Sequence, residues 1–108
     1  MSAKLPKKET DMPNKQYDVC TNNFHVSPGD TFDWTNHRSQ QCTVTPCDPN
    51  NWPLTLTSYP VPAKTGGNNG TYSATVSNLA QNGTYHFDCD CCAGCPPALG
   101  NPKSITIP

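Results

Sequence analysis

Apolar residues in this chain recur at every second position over short runs, and each run is cut off by proline, glycine or asparagine. In Thr31-Phe-Asp-Trp-Thr-Asn36 the period of two sets Phe32 and Trp34 on one face and Asp33 on the other, the pattern of a half-buried strand. Tyr72, Ala74 and Val76 share a face in the same way, and Tyr85, Phe87 and Cys89 point one way while His86 and Asp88 point the other. Shorter strands are expected at Tyr17 to Cys20, from His25, at Cys42 to Thr45, at Leu54 and Leu56, and at Ile105 to Ile107. Turn signals separate them: Ser27-Pro-Gly-Asp30, Asp48-Pro-Asn-Asn51, Gly66 to Gly70, and Asn82-Gly83. About seven to eight short strands with such punctuation describe an all-β fold, a Greek-key β-sandwich or barrel.

Composition supports that class and adds a boundary. At 108 residues the chain is one domain, and its 12 prolines disfavour helices. Lys4, Lys7, Lys8 and Lys15 crowd the start, whereas the remainder carries only Arg38, Lys64 and Lys103. Residues 1–15 therefore read as a flexible polar N-terminal linker and residues 16–108 as the domain. The mildly acidic domain lacks the clustered basic footprint of nucleic-acid binding. No apolar run approaches the length of a membrane span. The polar start lacks the core of a signal peptide, so Met1 reads as a start added where a signal or membrane anchor was removed. Export to the periplasm or outside the cell is expected, with the linker able to tether the domain to a membrane.

Seven cysteines change the picture. Such density in a short chain points to an exported disulfide protein or a metal protein. The odd count forbids complete pairing within one chain. Cys89, Cys92 and Cys95 repeat every third residue, with Cys91 among them, a spacing that lets a short loop wrap several sulfurs around one centre. Sulfurs close enough to share a metal are also close enough to bond one another. Both readings stand at this point.

The order of motifs is similar to that of the cupredoxin family, of the plastocyanin/amicyanin kind: Val26-x-Pro-Gly-Asp-Thr-x-x-Trp34-x-Asn36, then Thr43-Val-Thr45, then Gly83-Thr-Tyr-x-Phe-x-Cys89. The resemblance covers roughly residues 17–108. In that family a histidine before the Thr-Val-Thr run is the first copper ligand, and the loop after the last motif reads, in its shortest form, Cys-x-x-His-x-x-Met. Carried over residue by residue, Cys42 stands at the first histidine, Cys89 at the cysteine, Cys92 at the second histidine and Cys95 at the methionine. All four ligand positions are cysteine. An ordinary blue-copper site needs two imidazoles, one thiolate and a weak axial sulfur, so the resemblance implies a different, all-thiolate centre. His25, His37 and His86 fall outside it and are expected to be solvated.

What the resemblance implies is a small exported metal-binding protein serving as an electron carrier with a redox partner protein. Cys42, Cys89, Cys92 and Cys95 would hold copper; iron, an iron–sulfur cluster or zinc also suit four thiolates, and a zinc occupant would exclude electron transfer. Ala93 and Gly94 would offer backbone amides to the sulfurs, and Pro96 and Pro97 would stiffen the loop exit. Cys20 and Cys47 are expected to pair as a disulfide beside the centre, leaving Cys91 over. Two other classes remain open: a disulfide-stapled structural or recognition domain without metal, with Trp52, Tyr59 and Tyr72 as contact residues, and a thiolate-rich Cu(I) or zinc store or chaperone. No enzyme is expected and no small-molecule substrate is evident. Cys89-x-x-Cys92 has dithiol-exchange spacing but no helix to lower its pKa, and Asp88 and Asp90 flank Cys89.

Overall fold

The computed structural model describes residues 15–92, 95 and 103–108, and these form eight strands in two sheets. They are β1 (Lys15–Asp18), β2 (Asn23–His25), β3 (Thr31–Asn36), β4 (Cys42–Pro46), β5 (Tyr59–Val61), β6 (Gly70–Thr75), β7 (Gly83–Cys89) and β8 (Lys103–Ile107). One sheet has the order β1-β3-β6 and the other β2-β8-β7-β4-β5. β1 runs parallel to β3, and β2 parallel to β8; the remaining pairs are antiparallel. The linker expected over residues 1–15 lies outside the described residues except for Lys15, which already pairs with Phe32. The expected β-sandwich is thus the observed architecture.

Alternation decides what the two sheets enclose. Along β3 the inward residues Phe32, Trp34 and Asn36 are buried, and along β7 so are Tyr85, Phe87 and Cys89. Phe24, Phe32, Trp34, Phe87 and Tyr59 meet edge-on or tilted, with ring centroids 5.1 to 6.3 Å apart, within the range aromatic pairs favour. Val44, Val61, Ala74, Val76, Ile105 and Ile107 fill the space around them. The turn before β3 is built by Pro28 and Gly29. Asp30 donates its amide to the Ser27 carbonyl at 3.0 Å, and Gly29 takes the positive φ of 86° that the third position of a type II turn requires.

Two expectations need correction. Leu54 and Leu56 do not form a strand: Leu54 makes only an isolated bridge to Val76, and Leu56 is 47% exposed. The backbone there is satisfied by side chains, because Trp52 Nε1 donates to the Leu56 carbonyl at 2.8 Å and the Leu56 amide donates to the Tyr59 hydroxyl at 3.0 Å. Tyr59, a contact residue only in the recognition-domain alternative, is fully buried on β5 and is a core group. Its ring packs edge-on to the half-buried Tyr72.

A sulfur cluster at one end of the sandwich

The site is assembled by strand ends. Cys42 opens β4 and Cys89 closes β7, and the antiparallel register that sets Val44 opposite Cys89 carries on past the strand, where Asp90 donates its amide to the Thr43 carbonyl at 3.3 Å. The Asp90 carboxylate returns the contact, accepting the Thr43 amide at 2.8 Å. That register puts Cys42 across from Cys91. β7 then folds back at once, the Cys92 amide donating to the Cys89 carbonyl at 3.0 Å. Cys20 arrives from the other sheet on the turn after β1, where its amide is held by Asp18 Oδ2 at 2.9 Å.

Asn36 ties the surrounding loops together from a fully buried position at the end of β3. Its Nδ2 donates to the carbonyls of Gln40 at 2.7 Å and Pro62 at 3.1 Å, while its Oδ1 accepts the Arg38 amide at 3.0 Å. The Pro62 carbonyl can come that close only because residue 70, opposite Asn36 on β6, is glycine; a Cβ at Gly70 would overlap that oxygen. Cys42 Sγ sits 3.5 Å from the same Asn36 Oδ1. The Asn of the Trp34-x-Asn36 motif therefore fixes the approach of the 37–41 loop to β4.

Three disulfides form, with Cα–Cα distances of 5.9, 5.5 and 5.7 Å: Cys20–Cys92 and Cys42–Cys91 close this end, whereas Cys47–Cys95 lies away from it, Cys47 sitting past the far end of β4 with its amide on the His86 carbonyl. The expected Cys20–Cys47 pair is not formed, because Cys20 lies beside Cys92 at one side of the turn and Cys47 continues β4 toward Cys95. Cys91 is not the leftover either. The free cysteine is Cys89, buried in the core. Of the four positions expected to hold metal, Cys42, Cys92 and Cys95 are each bonded to one of the three other cysteines, and only Cys89 keeps a thiol. The Sγ atoms of Cys42, Cys89 and Cys91 and a carboxylate oxygen of Asp90 lie within 4.8 Å of one another, as do those of Cys20, Cys89 and Cys92. The structure thus brings Cys42, Cys89 and Cys92 to one end of the sandwich, whereas Cys95 joins neither group. Cys20 and Cys91 take part instead.

Electrostatics at the cluster oppose ionisation of the one thiol. Burial pushes the Cys89 thiol up and the Asp90 carboxylate adds to this, while the amides of Cys91 and Cys92 and the Arg38 guanidinium pull the other way and lose. Ala93 and Gly94, expected to offer amides to the sulfurs, lie outside the described residues, as do Pro96 and Pro97. Beside the cluster, burial raises the Asp18 carboxyl, but Arg38, the Cys20 amide and His37 outweigh it and hold the group below its ordinary value. Arg38 forks onto Asp18 with both contacts at 3.1 Å, and His37 lies 3.1 Å from Asp18 Oδ1. His37 is accordingly ion-paired when protonated. His25 is exposed, and His86 is half-buried, its Nδ1 enclosed and without a hydrogen-bond partner among the described residues, a departure from the solvated position that alternation implies.

No protein-family model matches the sequence, and no curated protein is similar enough to count as a relative. Among solved structures, that of a methionine-to-glutamine mutant of amicyanin, Cu(I), superposes with a TM-score of 0.50 over 86% of this chain and 80% of that one. The fold is cupredoxin-like. At 20% identity the likeness carries the architecture alone. The histidines of an ordinary copper site are absent from the expected ligand positions, and of the cysteines that stand there Cys42, Cys92 and Cys95 are bonded in disulfides as the chain stands.

Proposed function

We propose that this chain is an exported, disulfide-braced cupredoxin-like domain with a structural or recognition role, in which the end that would carry a ligand loop is closed by covalent cross-links. The observation that supports this is the one-to-one pairing of Cys20, Cys47 and Cys91 with Cys92, Cys95 and Cys42. Each bridge joins segments far apart in sequence, by 72, 49 and 48 residues, where loop closure restricts the unfolded chain most. Three bridges suit an oxidising compartment. The test is intact mass, native and denaturing, on protein purified without reductant or chelator. The expected result is a chain lighter by six hydrogens and carrying no metal; a metal-bearing native mass with four or more thiols after unfolding would overturn it.

A second reading is favoured by the convergence of five sulfurs, those of Cys20, Cys42, Cys89, Cys91 and Cys92, on one end. Opened by a dithiol reductant, they offer soft thiolates suited to Cu(I), and the amides of Cys91 and Cys92 already lean on the Cys89 sulfur. Metal storage belongs to this reading, as does electron transfer with a redox partner. Competition against a Cu(I) chelator tests it: binding by the reduced protein and none by the oxidised protein is expected, and equal failure of both forms removes it.

A further inference from the structure

The odd thiol lies where no external reagent can reach it, yet it is flanked by two disulfides. Cys89 is 1% exposed, and its sulfur lies within 4.8 Å of the sulfurs of both Cys20 and Cys92. The backbone between Cys89 and Cys92 is already a closed turn, with an isolated β-bridge and the 3.0 Å bond from the Cys92 amide to the Cys89 carbonyl. Residues at the two ends of such a turn have Cα atoms less than about 7 Å apart, overlapping the range a disulfide spans. Cys20, by contrast, is only half-buried, on the turn after β1.

We propose that Cys89 is the nucleophile of an intramolecular thiol–disulfide exchange that moves the chain's one free thiol from the core to the surface at Cys20. The Cys89 sulfur attacks Cys92 Sγ, and the proton it gives up passes to the leaving Cys20 sulfur, which lies within 4.8 Å of it. A Cys89–Cys92 bond forms, the Cys20–Cys92 bond breaks, and Cys20 leaves as a thiol. The number of disulfides is unchanged. The freed Cys20 can then react with a small symmetrical disulfide of the glutathione class, forming a mixed disulfide and releasing one small thiol. Among the four neighbouring sulfurs Cys92 is the favoured target, because it shares a closed backbone turn with Cys89, whereas attack on Cys20 would bridge the two sheets, attack on Cys91 would close a bridge across a single intervening residue, and attack on Cys42 would cross the ladder diagonally. The exchange also unfastens the turn after β1 from the end of β7, since Cys20–Cys92 is the bridge that joins the two sheets there. No helix is needed to activate the thiol, because a target sulfur held beside it replaces a bimolecular encounter.

This inference rests on the disulfide-braced reading, and one experiment separates their failures. Native protein is incubated with N-ethylmaleimide or with oxidised glutathione, then digested without reduction and mapped by mass spectrometry. The expected product carries one adduct per chain, on Cys20, together with a Cys89–Cys92 bridge. In Cys89→Ser and Cys89→Ala the adduct on Cys20 is lost while all three original bridges persist. An adduct on Cys89 itself, an adduct on Cys91 with a new Cys42–Cys89 bridge, or no adduct on protein that labels once unfolded would each overturn the exchange and leave the braced domain standing. Equal labelling of Cys20 in the Cys89 variants would overturn it too. Fewer than three disulfides in the starting protein would remove both.

Discussion

The centre of this sandwich and its sulfur end solve the same problem by different means. Around Trp34, four aromatic rings and a ring of aliphatic side chains hold the sheets together without any covalent tie. At the end where β4 begins and β7 finishes, the loops are bound by one buried asparagine, one ion-paired aspartate and two sulfur bridges. Packing is cooperative and indifferent to redox state; the bridges depend on it. The domain's regularity therefore resides in its middle, and its sensitivity to chemistry at one end.

The largest perturbation should come from reducing all the bridges. A single disulfide closing a loop of this length contributes about 4 kcal/mol on the chain-entropy account, so excess dithiol should unfold the domain or move its denaturant midpoint steeply downward by circular dichroism. An unchanged midpoint would show that the aromatic centre suffices. Trp34→Ala attacks the other region; emptying a fully buried indole site should cost about 3–5 kcal/mol in denaturant unfolding, with the three bridges still present on mapping. Asn36→Ala should cost about 1–3 kcal/mol, because the part-buried carbonyls of Gln40 and Pro62 and the Arg38 amide lose their partner. The smallest effect concerns Asp18. Its folded carboxyl lies below the ordinary value, so the stability it adds is present above that value and is lost as pH falls through the folded one. Asp18→Asn should flatten that acid limb in pH-dependent melting while changing stability near neutrality by less than about 1 kcal/mol.

Much of the centre was legible in the sequence, because burial on one face writes itself as alternation. β3 begins and ends where Thr31 to Asn36 predict, and β7 presents Tyr85, Phe87 and Cys89 inward as read. β5 was not legible: Pro60 and Pro62 flank and interrupt its two apolar residues, and proline argues against a strand unless the strand lies at an edge, as this one does. At the sulfur end the positions were visible and the partners were not. Which cysteine meets which depends on register between distant strands, such as the β4–β7 pairing that sets Cys42 across from Cys91. Alternation along β7 does put Cys89 in the core with Phe87, but burial alone does not single it out as the free thiol, because Cys42 is buried as deeply and is bridged.

The brevity of β5 and β2 has a consequence for how copies of this domain behave in a crowd. The five-stranded sheet ends on two strands of three residues each, and on one of them the middle residue, Pro60, is exposed and has no amide hydrogen to offer. A neighbouring molecule looking for an open ladder to extend finds almost none. Display at high density on a surface, or storage at high concentration, should therefore not seed fibrils through this sheet. Exchanging Pro60 for a threonine or valine would lengthen the open rim and supply the template that the native margin withholds.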